Sequence, residues 1–204
     1  MICFNPIQKF CIPSRRLSYH SRNFILLILL CLSSQMTVAA SMDASTLKAI
    51  VTYKFSKFTQ WPEPADSHPQ HNFTLCILGK NSLSHQALKA LRGKSVKKRP
   101  LQIELFRSGI LPTEALNRCK MLFVSRSEKH RIHNILQTLH KRPIFTLSDI
   151  QDFSLQGGMI TLRVNDHHLG FEINTQAIEQ ANLILASIIL ELGTIVTPQV
   201  NERL

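Results

Sequence analysis

No stretch of this sequence is apolar for long enough to cross a bilayer. A spanning helix needs about 20 apolar residues, and the longest uninterrupted run, Phe24–Leu32, has nine. The first forty residues also lack any acidic side chain, while Lys9, Arg15, Arg16 and Arg22 precede that run. A basic lead, a short apolar segment and the small residues of Thr37–Ser41 have the form of a secretory signal. The expected cut follows Ala40, with Val38 and Ala40 as the small-pocket residues. Leu30 stands before Cys31 where a lipoprotein anchor needs a small residue, which argues against lipidation. Residues 41–204 then form one exported domain, long enough to bury about two thirds of its unfolded surface.

Catalytic signatures are missing too. The turn Gly79-Lys80-Asn81-Ser82 follows a strand pattern, but it lacks the upstream glycine of a phosphate-binding loop. No serine stands in a nucleophile elbow, and no cysteines form a C-x-x-C pair. His130, His133 and His140 have helical spacing, but no acidic or thiol ligand at matching spacing completes a metal shell, so they read as exposed histidines. Asp149 and Asp152 could form an acid pair, although Asp149 is more simply a cap for the turn Ile150–Phe153. The residues therefore point away from an enzyme and imply no metal or cofactor.

Cysteine is scarce in the exported part. Cys3, Cys11 and Cys31 leave with the leader, and Cys76 and Cys119 remain. An even number in an oxidising compartment suggests a bridge, and two buried thiols that never meet are the alternative. Acidic residues are few. Twenty-four Lys and Arg oppose thirteen Asp and Glu, a formal charge of +11, and removal of the four basic leader residues leaves +7. For an exported chain nucleic acid is not the expected partner. The densest basic stretch, Lys94-Ser95-Val96-Lys97-Lys98-Arg99, reads as a solvated loop, or else as a contact to lipid headgroups or an acidic partner.

What is present alternates between strand and helix patterns. Asp43 is placed to cap a helix from about Ala44 to Gln60, ended by Pro62. Phe73–Leu78 is apolar on both faces, as in a buried parallel strand. Helices are expected over Ser82–Arg92, at Thr113–Asn117 and over Ser127–His140, with Ser127 as a cap. Strands are expected at Leu101–Phe106, Met121–Val124 and Pro143–Leu147. Pro64–His71 reads as a loop. Met159–Val164 and Leu169–Ile173 flank the turn Asn165–His168 as a hairpin, and Asn174 would cap a last helix, Thr175–Leu192, closed by Gly193. That helix is apolar nearly all round, so it is deeply buried or part of a subunit interface. The pattern predicts a three-layer α/β sandwich: a mainly parallel central sheet, helices on both faces, and a C-terminal β-hairpin plus helix.

The stretch Tyr53–Trp61 holds four aromatic rings, including the single tryptophan. Phe55, Phe58 and Trp61 fall on the apolar stripe and read mainly as core. Tyr53 and Lys57 are one turn apart on another face, where a ligand or partner contact is expected. Glu172 alternates with Phe171. If both faces of its strand are covered it needs a mate, and Lys57 is the candidate by charge.

Six segments, in order, resemble the YfiR family of small periplasmic proteins: KAIVTYKFSKFTQWP (48–62), FTLCILGKNSL (73–83), LNRCKMLFVSRSE (116–128), PIFTLSDIQDFSLQGGMITL (143–162), LGFEIN (169–174) and ANLILASIILELG (181–193). The resemblance implies a periplasmic regulator. Well-known members bind the periplasmic sensor domain of an inner-membrane diguanylate cyclase, inhibit it, and so lower cyclic-di-GMP and biofilm formation. It also implies a homodimer, and partners that in some members are other sensors or receptors. Cys76 and Cys119 match the cysteine pair present across the family. A second pair that some members carry near Gly157-Gly158 is absent. A periplasmic small-molecule binding module with a pocket beside Trp61 is the alternative. Tyr53, Lys57, Trp61 and Glu172 are the residues expected at the partner or ligand site.

Overall fold

The computed structural model describes residues 43–62, 72–80, 83–107, 111–165 and 168–198. The leader with its cleavage site, the loop read over Pro64–His71 and the tip of the hairpin turn therefore lie outside the described residues.

Asp43 does cap the first helix, α1 (Ala44–Phe58): its Oδ1 accepts from the Thr46 N–H at 2.9 Å. The helix stops at Thr59, and β1 (Thr59–Gln60) follows. Five central elements are parallel strands. They are β2 (Phe73–Leu78), β4 (Arg99–Phe106), β5 (Cys119–Val124), β6 (Phe145–Ser148) and β7 (Ile160–Asn165). Between them lie α2 (His85–Lys89), α3 (Thr113–Arg118) and α4 (Ile132–Leu139). The strand β8 (His168–Ile173) returns antiparallel to β7 as the expected hairpin. Two short edge strands, β3 (Ser95–Val96) and β10 (Thr194–Ile195), complete an eight-stranded sheet in the order β10-β8-β7-β6-β5-β2-β4-β3.

The period of two in β2 explains why a strand apolar on both sides is needed. Leu75 and Ile77 enter one core with Phe55 and Ala49 of α1, Ala87 of α2, Phe123 and Phe145. Cys76 and Leu78 enter the other core with Leu116 of α3 and Ile132, Ile135 and Leu139 of α4. The sheet is thus covered on both faces, as the pattern predicted.

Four expectations are corrected. The single last helix is broken into α5 (Thr175–Gln180), β9 (Ile184–Leu185) and α6 (Ser187–Leu192). Asn182 takes the left-handed conformation (φ 55°), which ends α5, and β9 pairs antiparallel with β1, Thr59 opposite Leu185. The loop at Lys94–Arg99 is a hairpin, β3 against β4. The element at Ser127 starts as a 3₁₀ turn, Arg126–Arg131, after Ser125, and Ser127 is not its cap. The N–H of Ile150 donates to Ser148 Oγ (2.9 Å), so Ser148 takes the capping part expected of Asp149.

Candidate functional site

The residues singled out in the sequence fall at separate places. Tyr53 and Lys57, one turn apart on α1, both reach β3. The Tyr53 hydroxyl donates to the Ser95 carbonyl at 3.0 Å, and the Lys57 amine donates to the same oxygen. The amines of Lys57 and Lys94 lie 5.2 and 5.4 Å from the Tyr53 ring centroid, within cation–π range. These two side chains anchor the β3–β4 hairpin to α1.

Trp61 is engaged as packing. Its ring meets Phe73 edge-on at 5.0 Å and Phe145 at 6.5 Å, and its N–H donates to the Lys120 carbonyl at 3.0 Å. Phe55 closes the cluster against Phe145 and Phe171. The aromatic stripe is core, as expected, except at Phe58, which is 39 % exposed.

Glu172 does not pair with Lys57. Its carboxylate accepts from Arg163 on the neighbouring strand and lies 3.3 Å from Ser154 Oγ. The Ser154 hydroxyl also meets Thr161 Oγ1 at 2.7 Å, and Asn174 donates to the Ser154 carbonyl at 3.0 Å. The mate of Glu172 was hidden because Arg163 becomes a neighbour only through the β7–β8 register, which sets Thr161 opposite Glu172.

A feature the sequence reading missed lies at Asp149. The Lys48 amine of α1 donates to its Oδ2 at 2.6 Å, with both side chains largely buried, and Arg126 donates to the Asp149 carbonyl. The second oxygen, Oδ1, is buried and has no hydrogen-bond partner. The residues are 101 apart in sequence, so only the fold brings them together. Asp152 sits instead near Arg163, at 3.9 Å, so the two aspartates do not form an acid pair.

The cysteines meet. Cys76 and Cys119 form a disulfide joining β2 to β5, with Cα atoms 5.8 Å apart, inside the core beneath α3 and α4. Among the described residues no group of three His, Cys, Asp or Glu could hold a metal ion. A groove of about 460 Å³ is bordered by His133, Gln137, His140, Gln156, Gln176 and Gln180. Another, of about 530 Å³, is bordered by Lys80, Leu88, Leu105, Phe106 and Arg107. Neither contains Tyr53, Lys57, Trp61 or Glu172.

The most unusual surface is apolar and belongs to the broken C-terminal segment. Ile184 (62 % exposed), Ile188 (51 %) and Leu192 (67 %) recur every four residues, and Ile195 (56 %) follows on β10. Phe58 stands beside them, since the Ala186 N–H donates to the Phe58 carbonyl at 2.9 Å. Strand β10 is paired only with β8, so it also ends the sheet on this side. Isolated apolar residues on a surface are ordinary, whereas several large exposed ones in one segment are not.

A comparison with curated proteins gives no significant match. The model of the YfiR/HmsC-like family matches residues 45–194, from the first turn of α1 to the start of β10. The chain belongs to the YfiR/HmsC-like family.

Proposed function

We propose that this protein is an exported regulator that binds the periplasmic part of an inner-membrane diguanylate cyclase and represses it, lowering cyclic-di-GMP. The observation that carries the reading is the apolar face of Phe58, Ile184, Ile188, Leu192 and Ile195 at the end of the sheet. Leaving five large apolar side chains in water is unfavourable unless a partner removes them. Family membership supports a binding role. The alternative of a ligand pocket beside Trp61 has less support, because the indole is occupied by two phenylalanine rings and by the Lys120 carbonyl.

The test is cellular cyclic-di-GMP in a deletion strain complemented with the wild-type chain or with I188E/L192E. Both substituted positions are exposed, so the variant should fold and export normally. Deletion is expected to raise cyclic-di-GMP, the wild type to restore it, and the variant to fail. Restoration by the variant would remove the apolar face from the mechanism. No rise on deletion would remove the cyclase.

A further inference from the structure

The basic stretch at residues 94–99 is a turn with a built geometry. Ser95 pairs with Pro100 and Val96 with Arg99, leaving Lys97 and Lys98 as a two-residue loop. Both have positive φ, 48° and 67°, which is the type I′ hairpin turn. That turn is best made by Asn-Gly, because a residue with a Cβ is unfavourable in the left-handed region. Here two consecutive lysines occupy it.

The turn is rigidly presented. Tyr53 and Lys57 both hold the Ser95 carbonyl, and Val96 is fully buried. Around it stand Lys57 and Lys94, both exposed like Lys97 and Lys98. Arg99 and Lys120 follow at the amino ends of β4 and β5. Burial, and then the nearby Arg99, push the Lys120 amine below its ordinary pKa. Among the described residues no carboxylate lies within ion-pair distance of Lys57, Lys94, Lys97, Lys98 or Lys120. Lysines often guard a sheet edge against strand pairing. However, a guard belongs on the strand itself, whereas these two lie beyond the last paired residues, where they protrude and protect no backbone.

We propose that the Lys97–Lys98 turn, with Lys57 and Lys94, is a docking surface for anionic phospholipid headgroups. Lysine suits this occupant: it is a flexible point charge that needs no fixed bidentate geometry, which a fluid layer of phosphates does not offer. Of the apolar face, Ile195 lies on β10, at the opposite end of the strand order from β3, which carries the turn, whereas Phe58 directly follows Lys57 on α1. This inference does not depend on the identity of the partner.

The experiment is co-sedimentation of the exported chain, residues 41–204, with vesicles. One set is phosphatidylcholine alone and the other is phosphatidylcholine with phosphatidylglycerol. The expected result is binding to the anionic set only, weakened by salt. K97N/K98G should bind about thirty-fold more weakly, from the loss of two lysines near the surface. The same variant should melt no lower than the wild type, because Asn-Gly suits the turn. K97R/K98R should keep the binding. Equal binding to both vesicle types, retention of binding by K97N/K98G, or its loss in K97R/K98R would overturn the proposal. Absence of vesicle binding together with retention on a polyglutamate column would overturn it in favour of an acidic protein partner. The assay contains no cyclase, so its failure would leave the repressor reading standing.

Discussion

Reducing the Cys76–Cys119 disulfide gives the most quantitative check on this fold. The bridge spans 43 residues of sequence, which on the chain-entropy model stabilises the folded state by about 4 kcal/mol. For a domain of this size each kcal/mol moves the melting temperature by about 2–4 °C, so the reduced protein should melt roughly 8–16 °C lower. Reduction of the wild type is the cleaner perturbation, because it leaves both sulfur atoms in place. C76A/C119A adds a packing loss of about 1 kcal/mol at each site, since both cysteines are buried. Burial also makes a kinetic statement. A reductant reaches the sulfurs only through an opening of the core under α3 and α4, so reduction should be slow in native buffer and fast in mild denaturant. The assay is a thermal melt followed by circular dichroism, with thiol titration to confirm the redox state. Oxidised and reduced forms that melt within about 2 °C of each other would refute the entropic argument. Two titratable thiols in protein from an oxidising compartment would refute the bridge.

Two further outcomes test the packing. Lys48→Met should destabilise the domain by about 3–5 kcal/mol in urea titration, because it leaves the buried Asp149 without its counter-charge. K48M/D149L should recover much of that loss, and a single variant as stable as the wild type would show the pair to be idle. Gly158→Ala should cost about 3 kcal/mol or more, since a Cβ there would stand 2.1 Å from the fully buried Phe153 ring. Gly170→Ala, with nothing within 4 Å of its Cβ, should stay within about 0.5 kcal/mol of the wild type, and equal melting of the two variants would contradict this contrast.

Much of the fold was legible because local signals agreed with the global one. Phe73–Leu78 and Met121–Val124 are apolar on both faces and lie in the middle of the sheet, where both faces are covered. Asp43 and Asn174 cap their helices with the side-chain geometry their residue types favour. The last third was less legible. Apolar density from Leu183 to Leu192 has the same appearance in a buried helix as in a strand–helix pair, and the break depends on Asn182 and on pairing with Thr59–Gln60 far upstream. Two-residue strands such as β3 and β10 carry no periodicity to detect. At the candidate site, Lys57 is exposed, as its place off the apolar stripe suggests, whereas Tyr53 packs in part against the core. Their target, the Ser95 carbonyl, is a backbone atom about forty residues away that no side-chain pattern announces. The Arg163–Glu172 and Lys48–Asp149 pairs were hidden for the same reason.

The pairing of β1 with β9 also orders events in time. Residues 59–60 must wait for residues 184–185, so the end of α1 is clamped only when almost the whole chain is available. Strands β2 to β6 pair among themselves within residues 73–148 and can assemble earlier, because shorter loops close at lower entropic cost. The β1–β9 pairing therefore closes late on the end of α1, whose apolar stripe can already pack on Ala87, Phe123 and Phe145. Substitutions at Thr59 or Leu185 would loosen this late clamp while leaving the packing of α1 on the sheet in place.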